Sequence, residues 1–296
     1  MNKIEFINLR NKKRWQNLIN YNEINPGQTW EYSKFELLNT GINTVLLKLT
    51  IKKKKYFCPF HLIKENKFSK IYSLRGFSGF NQNLKIFELQ IFKKELEKIK
   101  IKNIYFTSNP YLKSEAEINK FGRFKHNVYL INLSQKINLI FNNFSNNLKR
   151  NIKKIEKRSD LKTIVGNTIV FKNILELYKE NLKRINLKAN NLYNYKSLKF
   201  LIKNKNNLII QSKVQNQIVA LSIFLLTKKN AYYLTHFSTN KFNFLSSWHI
   251  YEAIKNLKSK KIKLLNLGGP VINRPGVERF KLSFNPIIKN LTEFRW

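Results

Sequence analysis

Leu264-Leu265-Asn266-Leu267-Gly268-Gly269-Pro270, followed by Pro275-Gly276-Val277-Glu278-Arg279-Phe280-Lys281-Leu282-Ser283-Phe284, is the stretch that decides how this chain is read. An apolar strand ends in two glycines, and a short helix then presents Lys281. Glycine lets a backbone take positive φ or approach a ligand closely, and backbone donors beside a fixed ammonium suit a phosphate or a developing oxyanion. Glu278 lies three residues before Lys281, on the same helical face, as an ion-pair partner rather than a base. A tight turn with a solvated lysine is the competing reading in a chain with 46 lysines.

Upstream of this stretch the order of elements is strand, strand, strand, helix, strand. Segments 208–214 and 218–226 form a hairpin across Gln215-Asn216-Gln217, 231–237 is a third strand, and 243–258 is a helix leading into 262–267. The same order occurs earlier: a hairpin of 45–51 and 55–63, a strand at 70–74, a helix with Leu84, Phe87, Ile91 and Leu96 on one face, and a strand at 103–107. A helix at 113–121 and a strand at 127–133 close that half. Corresponding elements lie about 160 residues apart, which predicts an α/β (α+β) chain of two copies of one module, mixed sheets flanked by helices, divided as 1–134 and 135–296. Between the copies, 135–205 reads as a helical insert. Within it, Ser145 is an N-cap for a helix with Leu148, Ile152 and Ile155 inward and Lys149, Arg150, Lys153, Lys154 and Lys157 around the rest. A second helix covers 172–185 and a third begins near Tyr195.

The 296 residues carry 56 Lys+Arg against 17 Asp+Glu, a formal net charge of +39. Such a field steers a protein toward polyanions, so a non-catalytic RNA- or tRNA-binding protein and a protein touching an anionic membrane surface both enter consideration. Yet 46 of the basic residues are Lys and only 10 are Arg, beside 42 Asn and 5 Ala. Coding bias of an AT-rich genome produces that pattern on a solvated surface. The acidic side excludes more. Asp160 is the sole aspartate, Cys58 the sole cysteine, and His61, His126, His236 and His249 are scattered. Two-metal phosphoryl transfer, a zinc cluster and an intrachain disulfide therefore lack their residues, and no metal site is expected. The longest apolar run, 218–226, is broken by Ser222 and is about half the ~20 residues a spanning helix needs. With no apolar core like that of a signal peptide near Lys12-Lys13-Arg14-Trp15, the expectation is a cytoplasmic monomer.

The run from Gly268-Gly269 to Phe280-Lys281-Leu282-Ser283-Phe284 resembles the closing signature of the Fem-type aminoacyltransferases and related acyltransferases, in which a Gly-Gly turn precedes Phe-Lys-x-x-Phe. Three more segments are similar to that family in the same order. Ser145 to Lys157 resembles its Lys/Arg-rich helix, Leu177 to Tyr195 its helix-loop-tyrosine stretch, and Tyr232 to Trp248 its strand followed by a helix bearing an aromatic residue. The likeness covers roughly 127–288; Arg75-Gly76-Phe77-Ser78-Gly79 resembles a Gly/Tyr-rich stretch loosely. It implies two tandem GNAT-like domains. It also implies an enzyme that moves an acyl or aminoacyl group from aminoacyl-tRNA or acyl-CoA to an amine or hydroxyl of an envelope or surface-sugar precursor, with no bound cofactor.

By this resemblance Lys281 is the catalytic candidate. Gly268, Gly269, Phe280, Lys149, Arg150 and Lys153 fall on the donor side, and Arg184, Tyr193, Tyr195 and Trp248 on the acceptor side. Each has a plainer reading: a structural turn for the glycines, a solvated face for the basic helix, core packing for the aromatic residues, and a helix-end charge for Arg184. His236 reads as a packed side chain. Members acting on murein precursors are expected to have an arginine before the tyrosine, where this chain has Asn190 and Asn191, so the resemblance points away from a murein acceptor. A Gln/Arg-x-x-Gly-x-Gly/Ala loop for coenzyme A is absent, which weighs toward charged tRNA as donor.

Overall fold

Lys52 and Lys53, at the tip of the first hairpin, take positive φ of 44° and 73°, and Gln215 and Asn216 repeat this with 48° and 64° at the tip of the second. Two-residue turns with both central residues left-handed match the twist of antiparallel strands, so each hairpin is set by its turn. A computed structural model describes residues 2–22, 25–74, 79–112, 122–166, 171–184, 193–271 and 274–296. They divide into two units, Met1–Val128 with Lys289–Trp296, and Tyr129–Ile288.

In the first unit, β1 (Lys3–Asn8) is followed by α1 (Lys12–Asn22), α2 (Trp30–Thr40), β2 (Thr44–Ile51), β3 (Lys54–Lys64), β4 (Ser69–Ser73), α3 (Ile86–Lys98) and β5 (Ile101–Thr107). β1, β2, β3 and β4 pair antiparallel in turn, and β4 pairs parallel with β5. In the second unit, after β6 (Arg123–Asn132), α4 (Ile137–Asn142) and α5 (Asn146–Glu156), the sequence is β7 (Leu161–Val165), α6 (Phe171–Arg184), α7 (Tyr195–Lys203), β8 (Asn207–Val214), β9 (Gln217–Leu226), β10 (Asn230–Ser238), α8 (Leu245–Ser259) and β11 (Leu264–Asn266). β7, β8, β9 and β10 pair antiparallel in turn, and β10 pairs parallel with β11. β2 and β8, β3 and β9, and β5 and β11 each start 163 residues apart, at Thr44 and Asn207, Lys54 and Gln217, and Ile101 and Leu264. The duplication expected from spacing is therefore present in pairing, direction and turn geometry.

Three features were not legible in the sequence. The first 43 residues, left unassigned by periodicity, hold a strand and two helices, α2 being capped by Thr29 and closed by Gly41 at φ 72°. The segment 135–205 carries α4 to α7 and also β7, which with α6 and α7 repeats the β1-α1-α2 opening of the first unit. After α9 (Pro275–Leu282), the last strand, β12 (Ile287–Arg295), pairs with β5 in the first unit, whereas the end of β6 pairs with β11 in the second. The sequence boundary at 134/135 thus differs from the two units, because 289–296 group with the first. The helix expected over 113–121 lies outside the described residues.

The second unit's core lies between the sheet and helices α5 and α8. Ser145 caps α5 by accepting from Leu148 N at 3.3 Å, and Leu148, Ile152 and Ile155 are buried, as the spacing predicts. α8 buries Leu245, Trp248, Ile250, Ala253, Ile254 and Leu257 in the same core. The first unit's core is aromatic, with Phe106 stacked on Phe294 at 4.7 Å and edge-on to Phe60 and Phe80.

Candidate active site at the parting of two parallel strands

β10 and β11 run side by side for three pairs, the last being Tyr232 with Asn266. Beyond it β10 continues to Ser238 against β9, with a register shift between Tyr233 and Thr235, while the chain after β11 turns toward Tyr129 through bonds from Leu267 N to Tyr129 O (2.8 Å) and from Tyr129 N to Gly268 O (3.2 Å). The carboxyl ends of two parallel strands therefore part at Gly268. Ligands favour such ends because backbone groups no longer committed to the sheet are gathered there.

Gly268 is buried with φ +82°, and its N–H donates to Asn266 Oδ1 at 2.7 Å. A Cβ at this position would lie 3.2 Å from Lys281 Nζ and 3.7 Å from the Tyr232 hydroxyl, so two side chains converge on a spot that only glycine leaves open. Lys281 enters from α9, is itself buried, and donates to Gly269 O at 2.5 Å. Burial brings its pKa down to about 8, while the Glu278 charge acts in the opposite direction. The Glu278 carboxylate accepts from the Tyr129 hydroxyl. Asn266 Nδ2 is buried with no hydrogen-bond partner among the described residues. A buried donor left this way is costly unless a ligand meets it. The ammonium and this amide are suited to an incoming carbonyl or phosphate oxygen.

The other candidates are placed as follows. Phe280 lies on α9 with its ring 5.4 Å from Phe284, packed against the core. Lys149, Arg150 and Lys153 line a groove along α5 with Phe141, Asn142, Asn146, Lys154, Glu156 and Lys157. Lys149 donates to Asn142 O at 3.1 Å and Arg150 to Asn147 Oδ1 at 2.5 Å, so the basic face is solvated and locally held. Tyr193 brackets Tyr178, whose hydroxyl accepts from Tyr193 N and donates to Tyr193 O, both at 2.9 Å, and its ring stands 6.2 Å from Phe237. Tyr195 opens α7, is exposed, and packs edge-on to Phe171 at 4.9 Å. Trp248 is buried on α8, and its Nε1 donates to Thr163 Oγ1 at 2.8 Å. Arg184 ends α6, with its side chain outside the described residues, as are Asn190, Asn191 and 75–78. The structure thus gathers Gly268, Gly269 and Lys281, and sequence reasoning missed Tyr232, Asn266 and Tyr129 as their neighbours. Asn266 sat inside the decisive stretch, whereas nothing in the sequence ties Tyr129 to a helix 149 residues away.

Among the described residues no helix is long and apolar enough to cross a membrane. No three His, Cys, Asp or Glu side chains among them cluster as metal ligands do.

No protein-family model and no curated protein matches the sequence. Solved structures do match in three dimensions. FemX superposes with a TM-score of 0.67 at 11% identity, over 99% of this chain and 97% of that one. The C-terminal (DUF2156) domain of a putative lysylphosphatidylglycerol synthetase from Agrobacterium fabrum gives 0.64 at 12%, over 96% and 91%. A tandem GNAT protein from the clavulanic acid biosynthesis pathway gives 0.54 at 6%, over 100% and 98%. With its two modules, each of antiparallel strands closing on a parallel pair, this chain has the tandem GNAT fold in the form it shares with FemX.

Proposed function

We propose that the protein is an acyltransferase that moves an acyl or aminoacyl group from a carrier, aminoacyl-tRNA or acyl-CoA, to an amine or hydroxyl of a cell-envelope or surface-polysaccharide precursor. The observation that carries this reading is Lys281, a buried ammonium hydrogen-bonded to Gly269 O and aimed at Gly268, where β10 and β11 part. A lysine is buried at a cost, and a solvated lysine on a surface turn would not bear it.

In the proposed reaction the acceptor nucleophile attacks the carbonyl carbon of the ester or thioester, the oxyanion forms and collapses with cleavage of the carrier's C–O or C–S bond, and the proton that the nucleophile gives up, directly or through water, leaves on the carrier's hydroxyl or thiol. Lys281 spends one N–H on Gly269 O, which fixes its direction, and has two left for the developing oxyanion or a donor phosphate. Asn266 Nδ2 is a second donor at the same strand end. Gly268 keeps the approach clear. The nucleophile and carbonyl need only be held together, since positioning and charge stabilisation suffice for acyl transfer without a covalent intermediate.

The fold shared with FemX and with the lysylphosphatidylglycerol synthetase domain supports aminoacyl-tRNA as the carrier and an envelope component as the acceptor. The exposed cations of α5 supply a face for a polyanionic donor. A purely RNA-binding protein would account for α5 but gives no reason to bury Lys281. The test supplies purified protein with labelled aminoacyl-tRNA and acyl-CoA pools and an envelope-precursor extract. Label is expected to move from one pool to the precursor; no transfer from either refutes the proposal.

A further inference from the structure

Tyr129 meets the site twice. Its backbone holds the turn: the N–H donates to Gly268 O at 3.2 Å and the carbonyl accepts from Leu267 N at 2.8 Å, continuing the ladder in which Leu130 pairs with Asn266. Its side chain holds the helix: the ring is buried in the core of the second unit, and the hydroxyl donates to the Glu278 carboxylate on α9. A hydrogen bond to an ionised acceptor is among the stronger kinds.

α9 depends on such a hold. It is eight residues long, and among its described residues Lys281 is the one that is buried. Pro275, Gly276 and Arg279 are exposed, and Phe280 is half-buried, so apolar burial fixes the rotation of this helix poorly. Its other moorings lie toward the C-terminus. Ser283 O accepts from Ser145 N at 2.9 Å, and Phe284 is buried with its ring 5.1 Å from Phe144 and 5.4 Å from Phe280. Residues three apart on a helix stand about 60° apart around the axis and about 4.5 Å along it, so a tie at Glu278 sets the azimuth of Lys281. A roll of about 10° carries an atom about 6 Å from the axis through about 1 Å. A misplacement of that size costs up to about a hundredfold in rate.

We infer that Tyr129 is a positioning residue: its backbone fixes the Gly268 turn, and its hydroxyl, through Glu278, fixes the helix that brings Lys281 to that turn. One side chain locked in the core thereby registers the two parts of the site against each other. The effect on transfer rests on the transferase reading; the hold on Lys281 does not.

The test uses the full chain with 15N-labelled lysine. A buried, hydrogen-bonded ammonium exchanges its protons with water slowly enough to be seen by NMR, and Lys281→Met identifies its signal. Wild type is expected to show this signal. Tyr129→Phe keeps both backbone bonds to the turn and loses only the phenol hydroxyl, and Glu278→Ala removes the acceptor. Each is expected to stay folded by circular dichroism and to broaden or lose the Lys281 signal, which a mere loss of stability would not change in the folded protein. Each is also expected to lower kcat about tenfold, with the KM for the donor unchanged. Glu278→Gln, which still accepts the phenol proton, is expected to recover most of what Glu278→Ala loses. The double variant Tyr129→Phe/Glu278→Ala is expected to be no worse than the poorer single one, since both break the same tie. A Lys281 signal absent from wild type, or unchanged in both single variants, overturns the inference. So do losses of kcat that multiply in the double variant, or a kcat unaltered in both single variants beside an active wild type. If wild type transfers nothing, the proposed reaction falls while the ammonium signal still decides this point.

Discussion

Lys281→Met removes a buried ammonium and keeps an unbranched side chain of similar length. Burial lowers the lysine pKa from 10.5 to about 8 in the folded protein. Between those values the unfolded chain binds a proton at this position more readily than the native one, so native stability rises with pH across the window. Below about pH 8 both states are charged and the native state bears the whole cost of burying the charge; above 10.5 both are neutral and that cost is gone. At 1.36 kcal/mol per pKa unit the cost is roughly 3 kcal/mol. The variant has no proton to exchange, so its stability should lack this rise. At pH 7 it should exceed wild type by up to roughly 3 kcal/mol, less about 1–2 kcal/mol for the lost bond to Gly269 O. Urea unfolding of both proteins from pH 7 to 10.5 measures this, and the difference between the curves cancels the titration of the other lysines. Difference curves flat across the window would refute the burial of a charge. In the transfer assay, loss of the oxyanion donor should lower kcat by about 10²–10³; a Lys281→Met enzyme with wild-type kcat/KM would refute the role given to this side chain.

Gly268→Ala forces a Cβ onto φ +82° and to 3.2 Å from Lys281 Nζ, so it should cost about 1–2 kcal/mol and reduce transfer together with stability, read by thermal melting and by the same assay. Changing Lys149, Arg150 and Lys153 together to Gln should leave the free energy of unfolding within about 0.5 kcal/mol of wild type. The same change should reduce the slope of log affinity for tRNA against log salt by about 2–3; an unchanged slope in filter binding from 50 to 200 mM salt assigns the donor to another face. Gly122→Ala places a Cβ inside contact with Thr292 Cγ2 and 2.9 Å from Glu293 O, so it should destabilise the pairing of β12 by about 1–3 kcal/mol, visible as faster amide exchange in 289–296.

The turn residues Lys52, Lys53, Gln215 and Asn216 show how much of the fold is local. Two-residue loops between alternating strands set hairpins without help from the rest of the chain, and the 163-residue repeat of those loops made the duplication readable. β7 was missed because a five-residue strand with little burial lacks a strong alternation, and its identity depends on pairing with β8. The destination of β12 was beyond reach for a related reason: its hydrogen bonds go to β5, about 190 residues upstream, and no periodicity encodes a partner.

At the site the division runs along the same line. By itself the sequence determined a Gly-Gly turn followed by a helix carrying Lys281, since glycine's freedom at positive φ and the 3.6-residue period are properties of the local chain. It also determined that a single aspartate leaves little for clustered-carboxylate chemistry. Only the tertiary structure decided that Lys281 is buried against Gly269 O, that Tyr129 takes up Glu278, and that His249 bridges Ser212 and Ser222, the latter also bonded to His236. The physical reason is that burial and hydrogen-bond direction are set by what packs around a group, so a lysine or histidine that reads as ordinary in the chain acquires its protonation state only when distant strands and helices close over it.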